Sequence, residues 1–174
     1  MNNKLLALLG FILLSTPMAA TAQFNYTTNN GTITITGYTG LGGPVVIPDT
    51  IDGLPVTRIG DYAFGGTTSL TSVTIPNSIT SLGNGAFQSC TNLTSATIGN
   101  SVTSIGSRAF ADCFSLTSIT IPNSVTNIGD SAFFYCTSLG AITVDALNSV
   151  YSSVDGVLFN KSQTTLIEYP GGKA

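Results

Sequence analysis

Four phenylalanines, Phe64, Phe87, Phe110 and Phe133, stand 23 residues apart along the chain. Leu70, Leu93, Leu116 and Leu139 keep the same interval, and so do Cys90, Cys113 and Cys136. Identities that return at a constant interval of this length describe a solenoid, in which each repeat is one winding and equivalent residues form columns along the stack. The expected fold is a stack of 23-residue coils with a parallel β-sheet on one face and short turns or 3₁₀/helical turns on the other.

Three repeats align without gaps: residues 70–92 (LTSVTIPNSITSLGNGAFQSCTN), 93–115 (LTSATIGNSVTSIGSRAFADCFS) and 116–138 (LTSITIPNSVTNIGDSAFFYCTS). A further one begins at Leu139 and then drifts. Upstream, Val45-Val46-Ile47-Pro48 matches Val73-Thr74-Ile75-Pro76, and the stretch from Asp49 to Pro55 carries five extra residues, which predicts a bulged loop in the first coil. Within a repeat, Val73-Thr74-Ile75 alternates apolar and polar, the period of a half-buried strand. Pro76 and Pro122 end their strands because proline cannot donate to a ladder; Gly99 is a weaker stop. Gly60, Gly83, Gly106 and Gly129 mark a second corner, where positive φ is expected. The Ala-Phe pairs after them predict a short helical or 3₁₀ turn with Phe inside. Phe24 to Thr36 reads as a capping strand region, and Val157 to Tyr169 as a β-hairpin.

Charged residues make up only 7% of the chain, and the net charge is −3, so no basic patch exists for nucleic acid. There is no His, and the single Glu is Glu168. Asp61, Asp112 and Asp130 are isolated and read as turn residues, while Asp49 and Asp52 could at most touch a cation. With no His partner, the three cysteines lack the activation a nucleophile needs, and no metal site or cofactor is expected. Side chains in one column point the same way, so adjacent thiols about 4.8 Å apart are poorly placed for a disulfide. Buried free thiols are the expectation. The chain reads as non-enzymatic.

Met1 to Lys4, the apolar run Leu5 to Leu14 and Ala20-Thr21-Ala22 have the form of a cleaved Sec-type signal peptide, with Gln23 as the mature start. The run is too short to cross a bilayer, so no transmembrane segment is expected after cleavage. This gives a signal peptide over 1–22, an N-terminal cap strand region over 23–44, repeats over 45–144 and a C-terminal hairpin over 145–174.

Written as L-x-x-I-x-I-P-x-S-V-x-x-I-G-x-x-A-F-x-x-C, the repeat resembles that of the BspA-like leucine-rich repeat family of bacterial surface proteins. Residues 116–136 fit it throughout, and the resemblance is strong over about 45–144. It implies a leucine-rich-repeat solenoid and a cell-surface or secreted role in binding host or matrix proteins. Two departures stand out. Ser78, Ser101 and Ser124 occupy the position where other leucine-rich repeats carry Asn, which removes an Asn ladder there. Family members also continue into further repeats after a Gly-Gly-Lys segment like residues 171–173, so a fragment of a longer protein is one reading of this chain.

The outward positions carry the functional reading. Ser72, Thr74, Ser95, Thr97, Ser118, Thr120 and Thr143 form two files of hydroxyls, with Ala141 in the remaining place. Such a face is either an ordinary solvated sheet surface or a broad site for a protein or glycan, in which many modest hydrogen bonds act together. A third reading, lattice matching to ice by the Thr file, is weakened by Ala141 and the Ser file. Phe114, Phe134 and Tyr135 form a second candidate, an aromatic patch. The leading expectation is an adhesion or protein-binding module; the alternative is a structural spacer.

Overall fold

The computed structural model describes residues 23–173. The expected signal peptide at 1–22 lies outside the described residues. All regular structure among them is strand: β1 (Phe24–Asn29), β2 (Thr32–Tyr38), β3 (Gly43–Val46), β4 (Thr50–Ile51), β5 (Leu54–Ile59), β6 (Leu70–Thr74), β7 (Ser81–Leu82) and β8 (Ser95–Thr97). Then come β9 (Ser104–Ile105), β10 (Ser118–Ile121), β11 (Asn127–Ile128), β12 (Ala141–Val144), β13 (Tyr151–Val154), β14 (Val157–Asn160) and β15 (Leu166–Glu168).

The coils stack in register. In the parallel sheet β12-β10-β8-β6-β3, Ser72 pairs with Ser95, Thr74 with Thr97, Ser95 with Ser118 and Thr120 with Thr143, each partner one repeat away. A second sheet, β1-β2-β5-β7-β9-β11, runs parallel from β2 onward and was not expected from the sequence. Its strands are only two residues long in the middle coils, too short for alternation to show. The extra residues of the first coil form a hairpin, β4 against β5, turning through Asp52 and Gly53 at positive φ. Asp-Gly is the usual signature of such a tight turn.

Between the sheets the columns are buried. Phe64, Phe87, Phe110 and Phe133 stack with centroid separations of 4.9, 5.2 and 5.8 Å. Tyr38 continues the stack at the N-terminal end, 5.0 Å from Phe64. The Leu column is fully enclosed. So are the three cysteines, which are free; each thiol donates to a Phe carbonyl of the preceding coil, Cys90 to Phe64, Cys113 to Phe87 and Cys136 to Phe110.

The third face is built from turns rather than a helix. Alternate N–H groups bond within the coil (Ala63 to the Gly60 carbonyl, Gly65 to Tyr62, Thr67 to Phe64). The N–H groups between them donate to the next coil: Tyr62, Phe64 and Gly66 reach the Asn84, Ala86 and Gln88 carbonyls at 2.8–2.9 Å. This alternation corrects the expectation for Gly60, Gly83, Gly106 and Gly129, none of which has positive φ. Positive φ falls two and six residues later, in the columns Tyr62, Gly85, Arg108, Ser131 and Gly66, Ser89, Asp112, Tyr135. The glycine column is required by close approach instead. A Cβ on Gly106 would lie 2.5 Å from the Gly83 carbonyl carbon, and one on Gly129 would lie 2.4 Å from the Ser107 nitrogen.

Side-chain ladders also run between coils; in the Ser78 column Ser124 donates to the Val102 carbonyl, while the Ser78 hydroxyl is buried without a partner among the described residues. Asp61 Oδ1 accepts from the Asn84 N–H, Asn84 Oδ1 from Ser107, and Asn77 Oδ1 from Asn100, at 2.7–3.0 Å. At the C-terminal end Asn148 is fully buried: its amide donates to the Pro122 and Val125 carbonyls, and its oxygen accepts from the Val150 and Tyr151 N–H groups.

Candidate binding face

Each file on the β12-β10-β8-β6-β3 sheet follows from strand alternation. Val73, Ile119 and Ile142 point inward and are buried, so their neighbours Thr74, Ser118, Thr120 and Thr143 point out. Thr74, Ser95, Thr97, Ser118, Thr120 and Thr143 are exposed, and Ser72 is half-buried. Residues two apart on a strand stand about 7 Å apart, and neighbouring strands about 4.8 Å, which sets the pitch of the hydroxyl grid. Pro44 and Val46 pair with Ser72 and Thr74 and extend the files with apolar residues. Val46, 69% exposed, was legible as the counterpart of Thr74 in the Val45-Val46-Ile47-Pro48 match.

These threonines differ from the others in the repeat. Thr80, Thr103 and Thr126 donate their hydroxyls to the Thr57, Thr80 and Thr103 carbonyls of the preceding coil. Thr94 and Thr117 do the same to Thr71 and Thr94. Those hydroxyls belong to the scaffold. The hydroxyls of Thr74, Thr97, Thr120 and Thr143 make no such bond to another protein group among the described residues, so their donors and acceptors face outward unengaged.

At the ends of β6 and β8 the grid opens into a shallow groove of about 460 Å³, lined by Asp49, Thr74, Pro76, Asn77, Thr97, Gly99 and Asn100 together with Ile75 and Ile98. Gly99 replaces the proline of neighbouring coils here. A Cβ at Gly99 would meet the Pro76 carbonyl oxygen at 2.5 Å.

Phe114, Phe134 and Tyr135 come together as an exposed cluster on the turn side, with centroids 6.5 Å apart for Phe114–Tyr135 and 5.2 Å for Phe134–Tyr135. They lie away from the hydroxyl grid, on residues outside its strands. Three of the carboxylates are engaged in structure: Asp61 with Asn84 and Arg58, Asp52 with the Tyr26 hydroxyl, and Asp112 with Gln88. Burial pushes the Cys90 and Cys136 thiols up to about 12 and raises Cys113 as well, which keeps them protonated and unreactive at neutral pH.

The BspA type leucine-rich repeat pattern matches residues 55–172 in six copies. The chain belongs to the BspA-type leucine-rich repeat family. Among solved structures, it is similar to a leucine-rich repeat protein from Bacteroides capillosus, with 32% identity and a TM-score of 0.66 over 71% of this chain and 95% of that one. A leucine-rich repeat protein from T. pallidum matches at 32% identity and a TM-score of 0.62, covering 70% of this chain and 69% of the other. The pneumococcal vaccine antigen PcpA shares the fold at 23% identity and a TM-score of 0.63 over 87% of this chain and 55% of that chain. No curated protein matches the sequence.

Proposed function

We propose that this BspA-type chain is a secreted or cell-surface, non-catalytic binding module that engages a protein or glycan through the grid Ser72, Thr74, Ser95, Thr97, Ser118, Thr120 and Thr143. The observation that carries this reading is the division of labour among the threonines. Two columns tie coil to coil, while the grid column keeps its hydroxyls outward and unengaged. Partners rich in hydroxyl and amide groups suit it, because a nearly uncharged face gives little electrostatic steering. Individually weak contacts would add across coils, so affinity grows with the number of rows engaged. The leader-like segment at residues 1–22 supports an exported location. Pro44, Val46 and Ala141 interrupt the files at both ends, which argues against a lattice-matching surface.

The test uses purified extracellular matrix proteins and immobilised glycans. The triple variant Thr74→Lys, Thr97→Lys, Thr120→Lys should lose binding to whichever of them the unsubstituted protein retains, with an unchanged melting temperature. Equal binding by both proteins would assign the repeats to a spacer role.

A further inference from the structure

The groove of about 460 Å³ at the ends of β6 and β8 lies inside the stack, and both strands have a paired strand on either side. Pro76 and Pro122 follow the strands of two coils, and Gly99 stands between them without a ring, buried against the Pro76 carbonyl. The carbonyls of the groove are already in use. Those of Thr74, Pro76, Thr97 and Gly99 accept from Ile47, Ile79, Ile75 and Val102 at 2.9–3.2 Å. A peptide added as a strand would meet no free row of acceptors here.

What stays open is side chain. Asp49, Asn77 and Asn100 share one column, because Pro48-Asp49 aligns with Pro76-Asn77 and with Gly99-Asn100. One rung of a ladder forms in that column: Asn77 Oδ1 accepts from the Asn100 N–H at 2.7 Å. The Asn77 amide nitrogen, the Asn100 side-chain amide and the Asp49 carboxylate have no hydrogen-bond partner among the described residues. Thr74 and Thr97 add two hydroxyls to the same hollow, and Pro76 and Ile98 give it an apolar part. A carboxylate that only accepts thus stands beside amides and hydroxyls that donate. A volume of this size with a few convergent polar groups is what a small-ligand site needs.

We propose that this groove seats one neutral pyranose ring of a glycan, whose further sugars lie over the Ser/Thr rows. A sugar ring carries hydroxyls around its edge that both donate and accept, and it has an apolar C–H face. Asp49 accepts from neighbouring hydroxyls, the Asn77 and Asn100 amides donate to the oxygens beside them, and the C–H face turns toward Pro76 and Ile98. Acidic sugars are disfavoured, because Asp49 is the ionisable group of the lining and forms no ion pair among the described residues. The seat narrows the grid reading to one class of partner and rests on that reading for the sugars beyond the groove.

The test titrates cellotetraose, maltotetraose and mannotetraose into ¹⁵N-labelled protein, with tetragalacturonate as the acidic counterpart. A neutral tetramer should shift the Gly99 and Asn100 amides and the Asn77 side-chain amide, and tetragalacturonate should bind more weakly. Asp49→Ala and Asn100→Ala should each weaken that tetramer about fivefold or more, as loss of a hydrogen-bonding partner does. Both side chains are exposed and unengaged among the described residues, so melting should not change. Thr120→Lys combined with Thr143→Lys blocks grid rows beyond the groove and tells the two readings apart. Binding that Asp49→Ala weakens and the Thr pair spares supports the seat, and the grid then stands on its own test. Binding that the Thr pair removes and Asp49→Ala spares keeps the grid reading and overturns the seat. No amide shift from any neutral tetramer overturns it too, whatever the grid retains, and so does tetragalacturonate binding as tight as the neutral tetramer.

Discussion

A side chain repeated at each winding meets its own copy, so a residue choice is tested by the coil on either side of it. Glycine shows this in two opposite ways. Ser89, at φ 59°, sits in a left-handed position that glycine fills at the equivalent Gly66. Its hydroxyl makes no hydrogen bond within the protein among the described residues. Ser89→Gly should therefore stabilise the fold by roughly 0.5–1 kcal/mol, as relief of left-handed strain exceeds the added freedom of the unfolded chain. Gly106→Ala should do the reverse, at a cost of about 1–3 kcal/mol, because its Cβ would press on the Gly83 backbone. Urea melts of the two variants check both signs. The cysteines give a pH prediction. Their folded values are raised, to about 12 for Cys90 and Cys136, against roughly 8.5 in an unfolded chain. The stability they contribute is complete below the unfolded value and is lost as pH rises through it toward the folded one. The melting temperature should fall from about pH 9 upward, less steeply in Cys113→Ala. Iodoacetamide should label no thiol in the folded protein and every thiol in denaturant.

Single columns decide what a strand does, which makes Thr97 and Thr103 a matched pair. Both are exposed threonines of one coil, but Thr103 donates to the Thr80 carbonyl at 3.1 Å while Thr97 makes no such bond. Thr103→Val should cost about 1 kcal/mol, the net value of one hydrogen bond. Thr97→Val should leave stability within about 0.5 kcal/mol, since its site is an open sheet surface. Thermal melts of the two variants decide it, and a cost at Thr97 equal to that at Thr103 would remove the distinction on which the grid reading rests. The sequence shows both threonines at the same interval and has no mark of this difference, because each directly follows an apolar residue, Ala96 or Val102. What the period did reveal was the stack, the Phe, Leu and Cys columns and the outward strand positions. Those depend only on register, and register is what a constant interval of 23 residues encodes. The second sheet was hidden because β7, β9 and β11 are two residues each. The left-handed columns were hidden because Tyr62, Arg108, Ser131 and Tyr135 are not residue types that announce positive φ.

A stack of this kind holds together through neighbour-to-neighbour interfaces, so its ends decide how it comes apart. At the C-terminal end the buried side chain that joins the hairpin segment to the last well-formed repeat by the most hydrogen bonds is Asn148. Asn148 satisfies two carbonyls of the coil, Pro122 and Val125, and two N–H groups of its own segment, Val150 and Tyr151, while fully buried. Asn148→Ala leaves all four without that partner, in a place water reaches only if the segment moves. A cost of about 3 kcal/mol is expected from leaving several buried groups unpaired. Where that cost appears depends on how the coils are coupled. If coupling is only between neighbours, the hairpin detaches first: exchange should accelerate at Ile142 and Val144, which donate to Gly156 and Ser153, and at Ile128, which donates to Tyr151. Exchange at Thr80 and Phe87, far down the stack, should stay as it was. If the continuous Phe stack makes the chain one cooperative unit, every slow amide should accelerate by the same factor. Native-state hydrogen exchange on Asn148→Ala separates the two. The first outcome is expected here, because the hydrogen bonds and the ring contacts of each coil alike end on the coils beside it.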